Sequence, residues 1–535
     1  MAGLTPINQA LTLIPKRAEA RHADELRDTF VDSGIAAGLA SVDHQIIYGR
    51  RGTGKTHALR YLAATLGGAD ALAVYFDLRT VGSPGGLFVE SDAVGLTERA
   101  SRLMRDLLHQ LYDAILEMAI TDEKLLGNRV FTRRLDALLE AIGSVTVVGE
   151  IEVEDAETSG TTRKGGVSAE ATGSASGLRA RLGGERARTA EERDSSRTIR
   201  RGEERLHLNF TDVAKALREL GAELGRRRIW LLIDEWSSVP AAIQPYLAEF
   251  LVRCVLPLQQ QFTVKIASIE QQSHFRSVGR EGGSIGIEVG ADVSANLDLD
   301  DFMVFEQSEE RAREFFLGLF YKHLTSGFVA PIDGLNGPND VVRLGFTDRR
   351  ALDELVRAAE GVPRDAINIA GNAALKALDR KISVPEVRGA SRTWYHSDKE
   401  AALKGVKGAQ ELLSWIIDEV IRGRRARGFL VNRRDAQTPL LVALFEARVL
   451  HLVRRGYSAQ DEPGERYDVY VIDYGAYVDL INTNSSPQGM LPGIEQETYV
   501  DVPPQDLRAI RRAILDMDRF TAAKGEELAN PDGGG

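Results

Sequence analysis

The fold of this chain is decided by one stretch near its N-terminus, Gln45-Ile46-Ile47-Tyr48-Gly49-Arg50-Arg51-Gly52-Thr53-Gly54-Lys55-Thr56. It starts as an apolar run of strand length, continues as a turn that matches the pattern GxxxxGK[ST], and leads into a helical pattern at residues 56–66. In this arrangement glycines let backbone N–H groups face phosphate oxygens, and the helix N-terminus adds positive charge. The stretch therefore predicts an α/β domain with a phosphate-binding loop.

The loop and the residue after it provide the candidate nucleotide ligands. These are Gly49, Arg50, Arg51, Gly52, Thr53, Gly54, Lys55, Thr56 and His57. The Lys55 ammonium has the reach for β- and γ-phosphates, and the Thr56 hydroxyl can ligate Mg²⁺. For His57, on the first helical turn, a packing or capping role is favoured over catalysis.

A second motif strengthens the prediction of a nucleotide site. The apolar run at residues 229–233 ends in two carboxylates, Asp234 and Glu235, and strand ends of an open α/β sheet face the ligand crevice. Asp234 would hold Mg²⁺ directly or through water, and Glu235 would polarise the attacking water. Both motifs together predict ATP and Mg²⁺ as cofactors and ATP hydrolysis as the reaction.

Apolar runs alternate with amphipathic stretches over residues 42–269, which predicts a mainly parallel sheet covered by helices. The predicted core strands are 45–48, 71–78, 229–233 and 262–269. Between residues 144 and 210, Gly, Ser, Thr, Ala and Arg accumulate, and near-alternation at 145–153 and 205–210 predicts an inserted β-hairpin with a flexible tip. This insert is interpreted either as a surface segment without a role or as an arm toward a partner.

These motifs resemble those of AAA+ ATPases, in particular the clade of origin-recognition and archaeal replication-initiator ATPases and their bacterial relatives. The resemblance covers roughly residues 20–480. It implies an AAA+ nucleotide-binding domain with a parallel sheet at 1–305, a helical lid at 306–400, a winged-helix-like domain at 401–485, and a C-terminal helix with a disordered tail at 486–535. It also implies a homo-oligomer with ATP at the subunit interfaces.

The resemblance adds residues that would sense or complete the nucleotide site. The strand at 262–269 ends without the usual asparagine, so the γ-phosphate sensor is Ser268, Glu270 or Gln271, with Gln271 favoured. Arg364, in Gly361-Val362-Pro363-Arg364, corresponds to the second sensor in the lid, where Pro363 suits a first helical turn. Arg276 and Arg280 are candidates for an arginine supplied in trans, and Arg253 is a weaker one.

The C-terminal region is locally basic although the chain is acidic overall. Its candidate DNA ligands are Arg422, Arg424, Arg425, Arg427, Arg433 and Arg434. Predicted helices at 409–422 and 439–455 and a strand at 466–472 follow the order of a winged helix, in which basic residues contact DNA phosphates. The helix starting at Pro439 is apolar on most faces, which suits burial better than base readout.

Composition limits the alternatives. The 535 residues carry 67 Lys+Arg against 78 Asp+Glu, a formal net charge of −11, so any contact with double-stranded DNA needs a local basic patch. The one cysteine, Cys254, excludes an intrachain disulfide and is interpreted as a core residue. No signal peptide or membrane segment is expected, which predicts a cytoplasmic protein. Two functions remain: an ATPase acting on a nucleoprotein complex in replication, transposition or mobile-element defence, or a signalling switch whose winged helix controls a separate effector protein.

Overall fold

The computed structural model describes residues 3–18, 22–66, 70–81, 95–143, 145–148, 151–152, 172–173, 199–200, 203–206, 208–278, 283–300, 309–327, 329–422, 427–458, 465–482 and 513–529. The strands are β1 (Gln45–Tyr48), β2 (Ala71–Asp77), β3 (Val145–Val148), β4 (Ile151–Glu152), β5 (Thr172–Gly173), β6 (Ile199–Arg200), β7 (Glu203–Leu206), β8 (Arg228–Asp234), β9 (Phe262–Ser268), β10 (Arg276–Val278), β11 (Ser284–Gly286), β12 (Ser294–Asp298), β13 (Gly428–Asn432), β14 (Leu450–Ser458), β15 (Arg466–Ile472) and β16 (Ile514–Leu515).

Helices pack against the central sheet and against the C-terminal sheet. The helices are α1 (Pro6–Leu13), α2 (Ala23–Thr29), α3 (Ala36–Leu39), α4 (Lys55–Thr65), α5 (Leu96–Thr121), α6 (Glu123–Leu126), α7 (Arg129–Ile142), α8 (Phe210–Glu223), α9 (Gln244–Cys254), α10 (Glu309–Thr325), α11 (Pro338–Gly345), α12 (Arg349–Ala359), α13 (Pro363–Ala377), α14 (Val384–Trp394), α15 (Ala401–Leu403), α16 (Ala409–Trp415), α17 (Pro439–Glu446), α18 (Tyr474–Asn482) and α19 (Met517–Ala529). Two π-helical stretches, Tyr395–Glu400 and Ile416–Arg422, continue α14 and α16.

The central sheet confirms the predicted α/β fold. Among the described residues it has five parallel strands in the order β12-β1-β9-β8-β2. Four were predicted, but the edge strand β12 was missed because it buries one apolar side chain, Leu297, and so has no apolar run. Helices cover both faces of this sheet. Ile46 packs in one core with residues of α5, and Ile47 packs in the core on the opposite face with Leu59 of α4.

The predicted insert has a β-hairpin at its base. β3 pairs antiparallel with β7, with Val145 opposite Leu206 and Val148 opposite Glu203, and β4 pairs with β6. β3 ends at Val148, short of the end predicted at residue 153. β7 begins at Glu203, ahead of the start predicted at residue 205. The tip, for which flexibility was predicted, lies largely outside the described residues.

Helices α10, α12 and α13 share one core, and the helical part that they form, which the sequence predicts as a lid, is called the lid below. It includes one helix that the sequence assigns to the nucleotide-binding domain. α1 packs in the same core as α10, α12 and α13, and the Asn8 side-chain amide donates to the carbonyls of Leu378 and Arg380, each at 2.8 Å. The predicted boundary at residue 305 is therefore wrong for this helix. Partners about 370 residues away in sequence leave no local signal, which is why the sequence did not reveal the contact.

The C-terminal domain is a sheet in the order β14-β15-β13-β16 with helices packed against it. The helix predicted over 439–455 ends at Glu446, and residues 450–458 form a strand instead. The reason is the turn at Arg448, whose backbone φ of 60° is incompatible with a continuing right-handed helix. β16 pairs parallel with β13, so part of the C-terminal segment completes this sheet.

Lys265 of β9 makes stability depend on pH. Its side chain is fully buried, and its ammonium donates to the Asp43 carbonyl at 3.0 Å and to Gln45. Burial lowers the pKa of Lys265 to about 7, whereas in an unfolded chain it is about 10.4. Between these values unfolding takes up a proton, so the free energy of unfolding rises with pH, by at most about 1.4 kcal/mol per pH unit.

We therefore expect Lys265→Met to stabilise the protein most at pH 7, with the gap to the wild type narrowing toward pH 9. Denaturant unfolding at pH 7, 8 and 9 measures this gap. The exposed Lys381 provides the control, because Lys381→Met should give a gap that does not depend on pH. A pH-independent gap for Lys265→Met would contradict the prediction.

Candidate nucleotide site

A cavity of about 420 Å³ lies at the carboxyl ends of the central strands. It is enclosed by the glycine loop, the end of β8, the start of α13 and the segment before α2. Its lining includes Lys16, Arg17, Leu26, Arg51, Gly52, Gly54, Lys55, Thr56, His57, Arg79, Glu235, Ser237, Ser238, Gln272, Leu319 and Arg364. Cavities of this size are typical of small-molecule sites.

The loop takes the conformation that its glycines allow. Gly52 and Gly54 have φ values of 89° and 100°, in a region that side chains with a Cβ rarely adopt. Gly52 is also a point of close approach: a Cβ there would lie 2.9 Å from Cβ of Arg364 and 3.0 Å from Cγ1 of Val362. The Arg364 backbone N–H donates to the Gly52 carbonyl at 3.3 Å. The lid is therefore in direct contact with the loop.

Lys55 is held within the loop. Its ammonium donates to the carbonyls of Gly49 at 2.7 Å and Arg50 at 2.9 Å. Burial lowers the pKa of Lys55, and the nearby carboxylates of Glu235, Asp300 and Asp234 oppose that shift. The position places one positive charge at the start of α4, where an anion is also favoured by the helix N-terminus.

Asp234 is a fixed carboxylate at the end of β8. It is fully buried and accepts hydrogen bonds from the Tyr75 hydroxyl at 2.7 Å and from the Glu235 backbone N–H at 2.8 Å. Burial, together with this carboxylate, raises the pKa of Tyr75, which keeps the phenol protonated as a donor. Asp234 cannot rotate without losing both bonds, so its remaining lone pairs have a defined direction.

Glu235 differs from its neighbour in both conformation and environment. Its backbone is left-handed, with φ 57° and ψ 40°, which is costly for a residue with a Cβ and is characteristic of functional positions. Its carboxylate lines the cavity and lies 3.7 Å from a guanidinium nitrogen of Arg79. Burial and the Asp234 charge raise the pKa of Glu235, as suits a proton acceptor near neutral pH.

Thr56 and Asp234 fit a magnesium ion by the chemistry of their donors. Hydroxyl and carboxylate oxygens are the ligands that Mg²⁺ takes, and it usually keeps several waters. Asp234 is locked by two hydrogen bonds, and Thr56 lines the cavity. In the described part of the chain, groups of three or more His, Cys, Asp or Glu that could hold a metal ion are absent.

Several sequence-predicted site residues point away from the cavity. The Arg50 side chain turns to Asp300 and His451, and a ring nitrogen of His57 bonds the Leu26 carbonyl at 2.7 Å, although His57 does line the cavity. The first-sensor candidates do not line it: Ser268 bonds Ser237 and Ser273, Glu270 pairs with Arg455, and Gln271 lines a small cleft facing the C-terminal domain.

Two candidates for a trans arginine, Arg276 and Arg253, are described in the structure, and they do not line this cavity either. Arg276 lies on the exposed β10–β11 hairpin and contacts Glu288 and Ser284, and Arg253 pairs with Glu249 on the surface of α9. Arg280 lies outside the described residues. A residue that acts on a neighbouring subunit is expected to be exposed, as Arg276 and Arg253 are.

The structure adds residues that sequence reasoning missed. Arg79 follows β2 and lines the cavity beside Glu235, and Ser237, Ser238 and Gln272 line it from the turns after β8 and β9. The sequence could have indicated these four residues, because each follows a predicted core strand at the edge of the sheet where ligands bind. The segment at 15–18, with Lys16 and Arg17, had no such signal because its place depends on how α1 packs in the lid.

The structure corrects the basic patch of the C-terminal domain. Arg427 is 4% exposed, pairs with Glu360 of the lid, and donates to the Ile472 carbonyl at 3.0 Å, so the expectation that it contacts DNA is wrong for this conformation. Arg433 and Arg434 have exposed side chains. Arg424 and Arg425 lie outside the described residues, as does the side chain of Arg422.

One comparison with known proteins, that with family models, agrees with the resemblance seen in the sequence. Residues 13–66, which include the glycine loop, match the family model ORC-CDC6-like. No curated protein matches the chain. A search of solved structures finds Cdc6p from Pyrobaculum aerophilum at 11% identity, covering 88% of this chain and 94% of that one, with a TM-score of 0.28, too low to support an argument. Over residues 13–66, the chain is thus similar to ORC/Cdc6-type AAA+ proteins.

In the part of the chain that the structure describes, no helix combines the length and the apolarity that a membrane crossing requires.

Proposed function

We propose that this protein binds ATP with Mg²⁺ in the cavity and hydrolyses it to ADP and phosphate. The observation that supports this most is that four side chains line one cavity: Lys55 and Thr56 at the start of α4, Glu235 directly after β8, and Arg364 of α13. Asp234 lies directly beside Glu235. ATP turnover by the full chain, compared with that of Lys55→Ala and Glu235→Gln, tests the proposal.

Each side chain has a defined role in this reaction. Lys55 and the loop N–H groups bind the β- and γ-phosphates, and Arg364 contacts the γ-phosphate from the lid. Thr56 and Asp234 would hold Mg²⁺, which neutralises charge on the phosphates. Glu235 accepts the proton of the attacking water as its oxygen bonds to the γ-phosphorus and ADP leaves. Arg79, 3.7 Å from Glu235, orients that carboxylate.

We further propose that the ATPase is a homo-oligomer. Among the described residues, Arg17, Arg51, Arg79 and Arg364 line the cavity in cis, and an additional arginine from a neighbour would complete charge stabilisation in the transition state. Arg276 is favoured because it lies on an exposed hairpin. A subunit interface there would place ATP between protomers.

Action on double-stranded DNA remains the first candidate for the output of the cycle. Its support is the pair of exposed arginines, Arg433 and Arg434, on the turn after β13. The second candidate is a signalling switch in which the winged-helix-like domain serves protein contacts and a separate effector acts. It is favoured by the burial of Arg427 and Arg448 in ion pairs with the lid, which removes two charges from the surface.

The Arg433→Ala/Arg434→Ala protein separates these candidates. If both residues contact phosphates, the slope of log affinity against log salt should become shallower by about 2, because each contact contributes about 1. A mobility assay of this variant in a Glu235→Gln background, with ATP and duplex DNA at several salt concentrations, measures the slope. Arg380→Ala, an exposed change in the lid, is the control. Absence of binding at every salt concentration would favour the switch.

A further inference from the structure

Arg50 links the phosphate loop to the C-terminal domain. Its backbone N–H and its Nε each donate to Asp300 at 2.8 Å. Nη2 donates to the Glu360 carbonyl at 3.3 Å, Nη1 bonds Nδ1 of His451, and the guanidinium lies 5.4 Å from the Phe445 ring centroid. Arg50 is 3% exposed. A loop residue with these partners is committed to the protein interior and not to phosphate.

The Arg50 backbone is part of the nucleotide site. Its carbonyl accepts from the Lys55 ammonium at 2.9 Å and from the Thr53 hydroxyl at 2.9 Å, while its N–H is held by Asp300. The position of the Arg50 peptide therefore sets the position of Lys55. Whatever fixes the Arg50 side chain also restrains the loop.

On the C-terminal side, His451 is fixed in turn. Because Nδ1 accepts from Arg50, Nε2 carries the proton and donates to Asp473 at 3.1 Å. Burial lowers the pKa of His451 to about 3, so the ring is neutral and holds this tautomer. Asp473 also accepts from Lys399 at 2.5 Å, and both side chains are at most 3% exposed.

The contacts from Arg50 through His451 and Asp473 to Lys399 form an array of buried side chains, which continues into the lid. Lys399 lies 3.0 Å from Asp365, and Arg448 donates to the same carboxylate at 2.8 Å and also pairs with Asp398. Asp365 follows Arg364 directly in α13. Buried charges are stable only when paired in this way, so the array specifies one arrangement of loop, lid and C-terminal domain.

We propose that the C-terminal domain is a structural part of the nucleotide site, because His451 and Asp473 position Arg50 and thereby the phosphate loop. Nucleotide binding and docking of this domain then stabilise each other. The inference rests on the proposed function, since it assumes that the loop binds a nucleotide. Arg50 and His451 are positioning residues, and neither lines the cavity.

The sign of the coupling follows from the docked structure. With the domain docked, the loop has its left-handed glycines in place and the lid contacts Gly52, and the cavity of about 420 Å³ is already formed. A preformed site binds more tightly than one that must be ordered first. Loss of the contact between Arg50 and His451 should therefore weaken nucleotide binding.

A double-mutant cycle on the full chain tests the proposal. The dissociation constant for ADP with Mg²⁺ is measured for the wild type, Arg50→Ala, His451→Ala and the double variant. Each single change should raise the constant about tenfold, and the double variant should match the single ones and not multiply their effects. Arg454→Ala, an exposed change on the same strand as His451, should leave it unchanged.

Hydrogen exchange provides a readout that general destabilisation does not produce. ADP with Mg²⁺ should increase amide protection of β14 in the wild type but not in the Arg50→Ala protein. Multiplying effects in the cycle, or β14 protection that ignores ADP in the wild type, would overturn the inference. The Lys55→Ala protein distinguishes failure of this inference from failure of the proposed function. If Lys55→Ala leaves ADP binding intact, the assignment of the nucleotide site is wrong. If Lys55→Ala abolishes ADP binding but the effects of Arg50→Ala and His451→Ala multiply in the double variant, only the coupling is refuted.

Discussion

The Lys55→Ala protein should lose nucleotide binding. The ammonium is the one lysine charge at the start of α4, and it is held 2.7 and 2.9 Å from two loop carbonyls, next to the cavity that would take the phosphates. Removing one partner of a buried charge pair costs about 2–5 kcal/mol. That corresponds to a loss in affinity of about 30- to 4000-fold. Titration calorimetry with ATP and Mg²⁺ measures it.

The control for this change is Lys215→Ala, an exposed lysine on α8, which should bind ATP as the wild type does. Circular dichroism establishes that Lys55→Ala is folded, so that lost binding is not lost structure. Undiminished ATP affinity in a folded Lys55→Ala protein would contradict the assignment of the loop.

The Glu235→Gln protein should bind ATP but turn it over about 10²- to 10⁴-fold more slowly, which is the usual contribution of a general base. The amide keeps the size and the neighbours of the carboxylate but cannot accept the proton of the attacking water. ATP should therefore stay bound, and the homo-oligomer proposed above should accumulate. Single-turnover hydrolysis and light scattering measure the two effects.

The pH profile gives an independent check on the same residue. Burial and Asp234 raise the pKa of Glu235, and the base must be deprotonated to act. Turnover by the wild type should therefore fall, as pH is lowered, at a higher pH than for an ordinary glutamate. Glu314→Gln, an exposed change on α10, should keep wild-type turnover. Equal turnover by Glu235→Gln and the wild type would remove Glu235 as the base.

The arginines of the C-terminal region show that a count of charges in the sequence is a poor guide to whether a domain binds DNA. In sequence Arg427 belongs to the predicted basic patch and Arg448 follows it, but in the structure they neutralise Glu360, Asp365 and Asp398. Their carboxylate partners lie 50 residues or more away along the chain. A local excess of arginine therefore does not by itself indicate a basic surface, because some of these arginines form buried ion pairs between domains.

The sequence alone determined the features whose physics is local. A strand, a glycine loop and a helix start must be adjacent to cradle a phosphate, and the carboxylates that follow an apolar strand reach the same sheet edge, so both motifs could be predicted by spacing. The tertiary structure alone decided which residues share the cavity, that α1 belongs to the lid, and that Arg50 faces His451. Those outcomes depend on burial and pairing between residues up to about 400 positions apart, which no local pattern encodes.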